Sequence, residues 1–330
     1  AGNPNLAKGE ARVILNEVNT RDPSRLNGYI EVAGQKAQVV IANPGGISCD
    51  GCGFINANRA TLTTGQVQYS NGQISGYDVN RGEIIVQGGG LDASSVDSTD
   101  LLARAVKINA GVWAQELKVT AGRNQIDAAH SLTTAKSSDG SAAPAVAIDV
   151  SALGGMYAHK IRLVGTERGV GVHNAGNIGA AAGDVAISAD GALSNSSVIQ
   201  SAQNLQLSVK GDLHNQGQLY AGKDSLVTAS ATLTNDGIIA AQGDTRIAAS
   251  TLRSAQNSTL AAGLNSDGSS ASSGALTLNS QTSLALNGRN MAAGTLTAQG
   301  RAVDLDNSRT SGARIVVSAA SGDITTRDAV

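Results

Sequence analysis

The sequence has very few aromatic residues for its length. Its 330 residues include one Trp, one Phe and five Tyr. A globular domain of this size would normally fill its interior with more aromatic bulk, so a wide conventional core is excluded. Proline is also scarce, with 4 residues, whereas glycine reaches 40. The apolar fraction of 41% is therefore expected to form a narrow core of small aliphatic side chains between many tight turns.

Excess charge and long apolar runs are lacking as well. The formal net charge is −2 and no long basic block occurs, which argues against a nucleic-acid partner. The longest apolar stretches, such as residues 39–42, are far too short to cross a bilayer, so no transmembrane segment is predicted. The chain opens with Ala1-Gly2-Asn3-Pro4 and not with a signal peptide. We therefore expect an internal piece of a longer protein.

A repeat of about 20 residues dominates the second half of the chain. Each repeat contains the tripeptide pattern apolar-x-Asn, where x is any residue. The asparagines of this pattern are Asn174, Asn195, Asn215 and Asn235. Apolar residues alternate within each unit, which indicates strands with one buried face. Three short strands and their turns in about 20 residues make one coil of a parallel β-helix. The sequence therefore predicts an all-β solenoid, with short loops or hairpins outside it at irregular segments such as 137–141 and 264–274.

The repeated asparagines have a physical rationale. Stacked coils place equivalent residues above one another, so each amide can bond to the amide of the next coil. Asparagine also tolerates a left-handed backbone in turns. We therefore predict a ladder of Asn174, Asn195, Asn215 and Asn235. In the less regular first half, residues 97–106 are expected to include one helical turn, and Asp97 and Asp100 are interpreted as solvated surface residues.

The two cysteines form a single C-x-x-C, Cys49 and Cys52. Such a pair can be half a zinc site, a redox pair, a local disulfide or two buried thiols. A second cysteine pair, a nearby pair of histidines and a βαβ context are all lacking from the sequence pattern. A disulfide or thiol pair is therefore favoured, and neither a metal nor another cofactor is predicted.

Two Asn-Pro motifs point to a family. Asn3-Pro4-Asn5-Leu6 matches the N-P-N-L motif of two-partner-secretion domains, and residues 43–47 (Asn-Pro-Gly-Gly-Ile) resemble the second motif, N-P-N-G-I, except at Gly45. The version with C-x-x-C is similar to the haemolysin and contact-dependent-inhibition branch. The chain thus resembles an exoprotein of the filamentous haemagglutinin, haemolysin or growth-inhibition toxin type. By this resemblance, residues 1–172 form a secretion domain without its first strands, and residues 173–330 form haemagglutinin-like β-helix repeats.

The resemblance implies both a fold and a route of export. The fold is a right-handed parallel β-helix. Soluble periplasmic domains of an outer-membrane transporter recognise the N-terminal domain, which leaves unfolded and folds outside a Gram-negative cell. The motif residues linked to recognition or folding are Asn3, Pro4, Asn5, Leu6, Asn43, Pro44, Gly46 and Ile47. Asn-Pro pairs also form turns in any protein, so a purely structural role stays open.

Several functions remain compatible with the sequence. The favoured one is a secreted or cell-surface stalk for adhesion or toxin delivery, with a target-cell receptor as a further partner. A cytolysin of the same secretion class is the alternative. A polysaccharide-degrading β-helix enzyme is less favoured, because charges are scattered and aromatic sugar platforms are nearly absent. We predict that the segment is not an enzyme.

Overall fold

The computed structural model describes residues 9–330, and within them no helix is present. The chain divides into two compact units, Ala1–Glu167 and Arg168–Val330. Apart from one small antiparallel sheet in the first unit, the strands of each unit pair in parallel as successive turns of a β-solenoid. The predicted fold class is thus confirmed, whereas the domain boundary at residue 172 stays a prediction.

Over its described residues, 9–167, the first unit has sixteen strands. They are β1 (Val13–Glu17), β2 (Ser24–Leu26), β3 (Tyr29–Glu31), β4 (Ala37–Ala42), β5 (Ile47–Ile55), β6 (Ala57–Thr63), β7 (Gln66–Ser70), β8 (Gln73–Val79), β9 (Glu83–Ala103), β10 (Ala105–Ile108), β11 (Gly111–Ala121), β12 (Asn124–Asp127), β13 (Thr133–Ala135), β14 (Val146–Val150), β15 (Gly155–Ala158) and β16 (Lys160–Gly165).

One column of inward-facing residues shows how this unit is built. Ile41, Leu62, Leu101, Val119 and Leu163 are paired in register from coil to coil and are all buried. The step from Ile41 to Leu62 is 21 residues, but the step from Val119 to Leu163 is 44. The solenoid therefore tolerates insertions between coils without losing its register.

Two of these insertions form a separate small sheet outside the solenoid. Its strand order is β13-β12-β8-β7, and its pairings are antiparallel. Its inner face packs on outward-facing solenoid residues that would otherwise be exposed, including Val40 and Leu102. Both faces of β4 and of the end of β9 are consequently buried. This explains why these strands read as continuous apolar runs and not as alternating ones.

The predicted helical turn within residues 97–106 is wrong. Most of this segment is the end of β9, which pairs in parallel with β6 on one side and with β11 on the other. Backbone pairing with two neighbours and burial on both faces outweigh the weak local propensity for helix.

The second unit consists of twenty strands. They are β17 (Gly171–Asn174), β18 (Asn177–Ala180), β19 (Val185–Ala189), β20 (Leu193–Asn195), β21 (Val198–Ser201), β22 (Leu205–Val209), β23 (Leu213–Asn215), β24 (Gln218–Ala221), β25 (Ser225–Asn235), β26 (Ile238–Ala241), β27 (Thr245–Ser254), β28 (Thr259–Ala262), β29 (Leu276–Ser280), β30 (Ser283–Leu286), β31 (Arg289–Ala292), β32 (Thr295–Gly300), β33 (Ala302–Asp304), β34 (Arg309–Ser311), β35 (Arg314–Ala319) and β36 (Ile324–Thr325).

The predicted 20-residue register is the register of this unit. Leu193 pairs with Leu213, and Leu213 pairs with Leu233, each a step of 20 residues. The predicted loop at 264–274 lies outside the coils, where the Tyr220 hydroxyl donates a hydrogen bond to the Leu264 carbonyl at 3.0 Å. The repeat read from the sequence therefore corresponds to one turn of the solenoid.

Candidate recognition site

The second Asn-Pro motif forms a corner between β4 and β5, which we call the Asn-Pro corner (residues 43–47). Asn43 is completely buried. Its Nδ2 donates to the Asp22 carbonyl and to Ser24 Oγ, both at 2.9 Å, and its Oδ1 accepts from the Gly45 N–H at 2.7 Å. Its backbone N–H donates to the Thr63 carbonyl at 2.9 Å. A single side chain thus joins the corner to the preceding coil.

The rest of the corner is a tight turn. The Gly46 N–H donates to the Asn43 carbonyl at 3.0 Å, and Pro44 occupies the second position, where its fixed φ fits. Gly46 has a φ of 119°, which favours glycine. A Cβ on Gly45 would lie 2.7 Å from the Arg21 carbonyl oxygen. The asparagine that the family motif carries at position 45 would require this neighbouring backbone to move.

An open groove of about 500 Å³ borders the corner. Ile47 closes it at the start of β5 and is itself buried, and the charged residues along it are Arg25, Asp50 and Glu83. The groove mixes both charge signs with polar and apolar atoms. The first motif (Asn3, Pro4, Asn5 and Leu6) lies outside the described residues.

Cys49 and Cys52 form a disulfide inside β5, and both are buried. The register between β5 and β9 shifts at this point, where residues 88–90, all glycine, face the single Gly51. A Cβ on the first of these glycines would lie 2.1 Å from Asp50 Oδ1. The three glycines therefore form a bulge that makes room for the linked segment. Among the described residues, no cluster of three or more His, Cys, Asp or Glu is arranged to hold a metal ion.

The four repeat asparagines lie inside the second unit, one above the other. The Nδ2 of Asn174 donates to Asn195 Oδ1, that of Asn195 to Asn215 Oδ1, and that of Asn215 to Asn235 Oδ1, each at 2.8 Å. All four side chains are buried. Positive φ occurs at none of the four, and each of them ends a strand. The asparagines thus link successive coils through buried hydrogen bonds. Burial strengthens these hydrogen bonds because the interior has a low dielectric constant.

A buried polar cluster that the sequence did not reveal ties the antiparallel sheet to the solenoid. Asp100 is only 2% exposed, so its interpretation as a solvated residue is wrong. The Arg59 Nε lies 2.8 Å from Asp100 Oδ2. The Nδ1 of the buried His130 lies 3.2 Å from the same oxygen, without hydrogen-bond alignment. Lys118 Nζ donates to the His130 carbonyl. Asp97, in contrast, is exposed.

The electrostatics of the cluster favour an ionised Asp100. Burial by itself would raise the pKa of this carboxyl, but contact with His130 and with the Arg59 guanidinium outweighs burial and lowers the pKa below its ordinary value. Sequence reasoning missed the cluster because Arg59, Asp100 and His130 come from distant segments. The register of β6 on β9 brings Arg59 to Asp100, and the insertion brings His130.

Models of two protein families match most of the chain. A model of the TPS secretion domain matches residues 4–195, and a model of the haemagglutinin repeat matches residues 200–288 and 271–328. Toxin CdiA of Yersinia pestis is 70% identical over 204 residues, or 62% of this chain and 6% of that protein. The tRNA nuclease CdiA-2 of Burkholderia pseudomallei is 50% identical over 194 residues, or 58% of this chain and 6% of that protein.

Two further similarities complete the comparison. The 16S rRNA endonuclease CdiA of Enterobacter cloacae is 48% identical over 191 residues, 57% of this chain and 6% of that protein. The crystal structure of the filamentous hemagglutinin secretion domain aligns with a TM-score of 0.48 and 25% identity, covering 96% of this chain and 76% of that one. The chain thus spans about 6% of the length of each curated relative named here.

The chain belongs to the two-partner-secretion (TPS) domain family, and haemagglutinin repeats follow the domain. The TPS domain marks a two-partner secreted exoprotein, located at the surface of a Gram-negative bacterium. In the described part of the chain, no helix has the length and hydropathy needed to cross a membrane.

Proposed function

We propose that this chain is the transporter-recognition segment and the first part of the stalk of a contact-dependent growth-inhibition exoprotein. The observation that carries the proposal is the match of residues 4–195 to the secretion domain, together with relatives that are themselves CdiA proteins. The soluble periplasmic domains of the transporter are the proposed partner, and the Asn-Pro motifs are the proposed recognition elements.

The burial of Asn43 indicates when recognition takes place. In the folded corner its amide makes three hydrogen bonds and has no exposed surface. A partner therefore reaches this side chain only before the corner folds. An extended segment can then pair with a sheet edge of the transporter domain, with the proline fixing the register. After export, the same asparagine serves the fold.

The stalk role rests on the solenoid itself. Backbone pairing and the buried asparagine ladder repeat from coil to coil, so each coil provides a template for the next. Such a sequence folds by stacking onto coils that have already emerged. We propose that the segment holds the distal parts of the exoprotein away from the cell, where they meet a receptor on the target cell.

We also propose that this segment has no catalytic activity of its own. The relatives that share it carry different activities in their names, a tRNA nuclease in one and a 16S rRNA endonuclease in another. A segment common to both does not determine which RNA is cut. The nuclease of each such protein is therefore assigned to sequence outside the shared 6%.

The delivery role is tested with the full-length parent protein in co-culture. Producer cells with the cognate transporter are expected to stop the growth of neighbouring sensitive cells on contact, and producers without the transporter are not. A cytolysin, the alternative, would release haemoglobin from erythrocytes in the presence of the transporter. Haemolysis without growth inhibition would refute the delivery role.

A further inference from the structure

Three exposed aromatic side chains line one outer face of the first unit. Tyr29, Trp113 and Tyr157 are 57%, 42% and 41% exposed, although the chain has only seven aromatic residues of these kinds. They belong to a single column that crosses five coils in register. From coil to coil the column runs Tyr29, Gly53, Asp92, Trp113 and Tyr157. We call Tyr29, Asp92, Trp113 and Tyr157 the aromatic strip.

The rings of the strip lie along the sheet surface, over glycines. A Cβ on Gly53 would lie 2.4 Å from Tyr29 Cε1, and a Cβ on Gly111 would lie 2.4 Å from Trp113 Cη2. The indole also reaches the neighbouring coil, since a Cβ on Gly90 would lie 2.9 Å from Trp113 Cζ3. Each ring thus occupies the space that a side chain on the glycine would otherwise take, and each stays partly exposed to solvent.

The neighbouring rings of Trp113 and Tyr157 are stacked nearly parallel to each other. The Trp113 and Tyr157 ring centroids are 6.3 Å apart, and the ring planes differ by 20°. Farther along the strip, the Tyr29 ring crosses Gly53, and its hydroxyl donates to Asp92 Oδ2 at 2.8 Å. Adjacent parallel strands are about 4.8 Å apart, so the four steps from Tyr29 to Tyr157 span about 19 Å.

Asp92 adds a fixed hydrogen-bond acceptor within the strip. Its Oδ1 accepts from Ser94 Oγ at 2.6 Å and from the Ser94 N–H at 3.1 Å, while its Oδ2 accepts from the Tyr29 hydroxyl. The hydrogen bonds from Ser94, and then the one from Tyr29, lower the pKa of this carboxyl. The carboxylate is thus ionised and oriented at neutral pH, with lone pairs left for donors from solvent.

We propose that the aromatic strip binds an extended, neutral polysaccharide. A pyranose ring has an apolar C–H face that packs on an aromatic ring, and hydroxyls at its edge that donate to a carboxylate. The length of the strip fits a chain of sugars and not one ring. The carboxylates of Asp92 and of the exposed Glu31, on the same face as Tyr29, disfavour acidic glycans and nucleic acids. Rigid aromatic side chains bind with little loss of conformational entropy.

The residues of the strip suit binding of a polysaccharide and not hydrolysis of its glycosidic bonds. Glycoside hydrolysis requires two carboxyl groups on either side of the scissile bond. Asp92 is the one carboxylate in the strip, and it is held by Ser94 and Tyr29. The inference is independent of the proposed secretion function, because it concerns the folded surface after export.

Isothermal titration calorimetry with the purified chain tests the proposal, using maltohexaose, cellohexaose and mannohexaose as probes. At least one hexaose is expected to bind saturably and to change the fluorescence of Trp113, the single tryptophan. Trp113→Ala and Tyr157→Ala are each expected to weaken binding about tenfold, the order of one aromatic contact. Trp113→Phe should keep most of the affinity.

Tyr69→Ala is the matched control, because Tyr69 is equally exposed, at 53%, but belongs to β7 outside the strip. It is expected to bind like the unaltered chain. Unchanged circular dichroism of the exposed-site variants verifies folding. The proposal is overturned if no hexaose binds, if Trp113→Ala binds as tightly as the unaltered chain, or if only heparin or a proline-rich peptide binds.

Discussion

Removing one asparagine from the middle of the ladder should cost more than the single bond that the repeat suggests. Asn215→Ala deletes the bond received from Asn195 and the bond given to Asn235. The Asn195 amide keeps a bond to the Ser197 carbonyl at 3.0 Å, so this loss is worth about 1 kcal/mol. Asn235 Oδ1 is left buried without its ladder donor, which costs about 2 kcal/mol more. The expected total is about 3 kcal/mol, above the figure of about 1 kcal/mol for one bond.

Urea unfolding followed by circular dichroism measures this cost. Asn174→Ala should cost only about 1 kcal/mol, because Asn174 contributes one ladder bond and its own Oδ1 is already without a partner. The Asn195 Oδ1 that it leaves behind still accepts from the Ser197 N–H at 3.4 Å. His214→Ala is the surface control from the same strand as Asn215: its pair with Asp236 is exposed, so the change should stay within about 0.5 kcal/mol. Equal midpoints for the Asn215 and His214 variants would refute the reasoning.

Three further outcomes are expected from the same unfolding measurement. Replacing both Cys49 and Cys52 by Ala should lower the free energy of unfolding by about 2 kcal/mol, because the disulfide that closes this short loop is lost. The metal content measured by atomic absorption should not change. Stoichiometric zinc that is lost in the variant would contradict this. The low folded pKa of Asp100 means that its stabilisation is present above the ordinary Asp pKa of about 3.9 and is lost as pH falls below it. Between pH 5 and pH 3 the unaltered chain should therefore lose more stability than Asp100→Asn, and parallel losses would refute the assignment. Gly217→Ala should destabilise strongly, since its Cβ would lie 1.9 Å from the Ser197 carbonyl oxygen; a neutral effect would show that the turn can shift.

The fold of the second unit was predictable because the same contacts recur from each coil to the next. Each coil repeats the same alternation, so the register from Leu193 to Leu213 and Leu233 is visible in the sequence. The stacking of equivalent residues was sufficient to predict the ladder. It did not predict the backbone conformation of the asparagines, because asparagine is common both in turns and at buried strand ends. Only contacts with the neighbouring coils distinguish these two positions.

The first unit was less predictable because its contacts join distant segments. The insertions that form the antiparallel sheet bury both faces of β4, and this hides the alternation that marks a strand. Asp100 and His130 meet only through one of these insertions. The aromatic strip was missed for a similar reason: Tyr29 and Trp113 are far apart in sequence, and a low aromatic content says nothing about where the few rings lie.

We propose that the transporter binds the Asn-Pro corner before the corner folds. The most direct test is to measure how much of the full-length parent reaches the medium and how much stays in the periplasm, with the cognate transporter present. The variants are Asn43→Ala, Asn215→Ala and Asn56→Ala; the last removes two side-chain bonds, to the carbonyls of Val32 and Gly34, in the same unit as the corner. All three are expected to weaken the fold, but only Asn43 lies in a proposed recognition motif. We predict that Asn43→Ala accumulates in the periplasm while the other two reach the medium, whereas an equal block of export by all three would show that the corner acts only in folding.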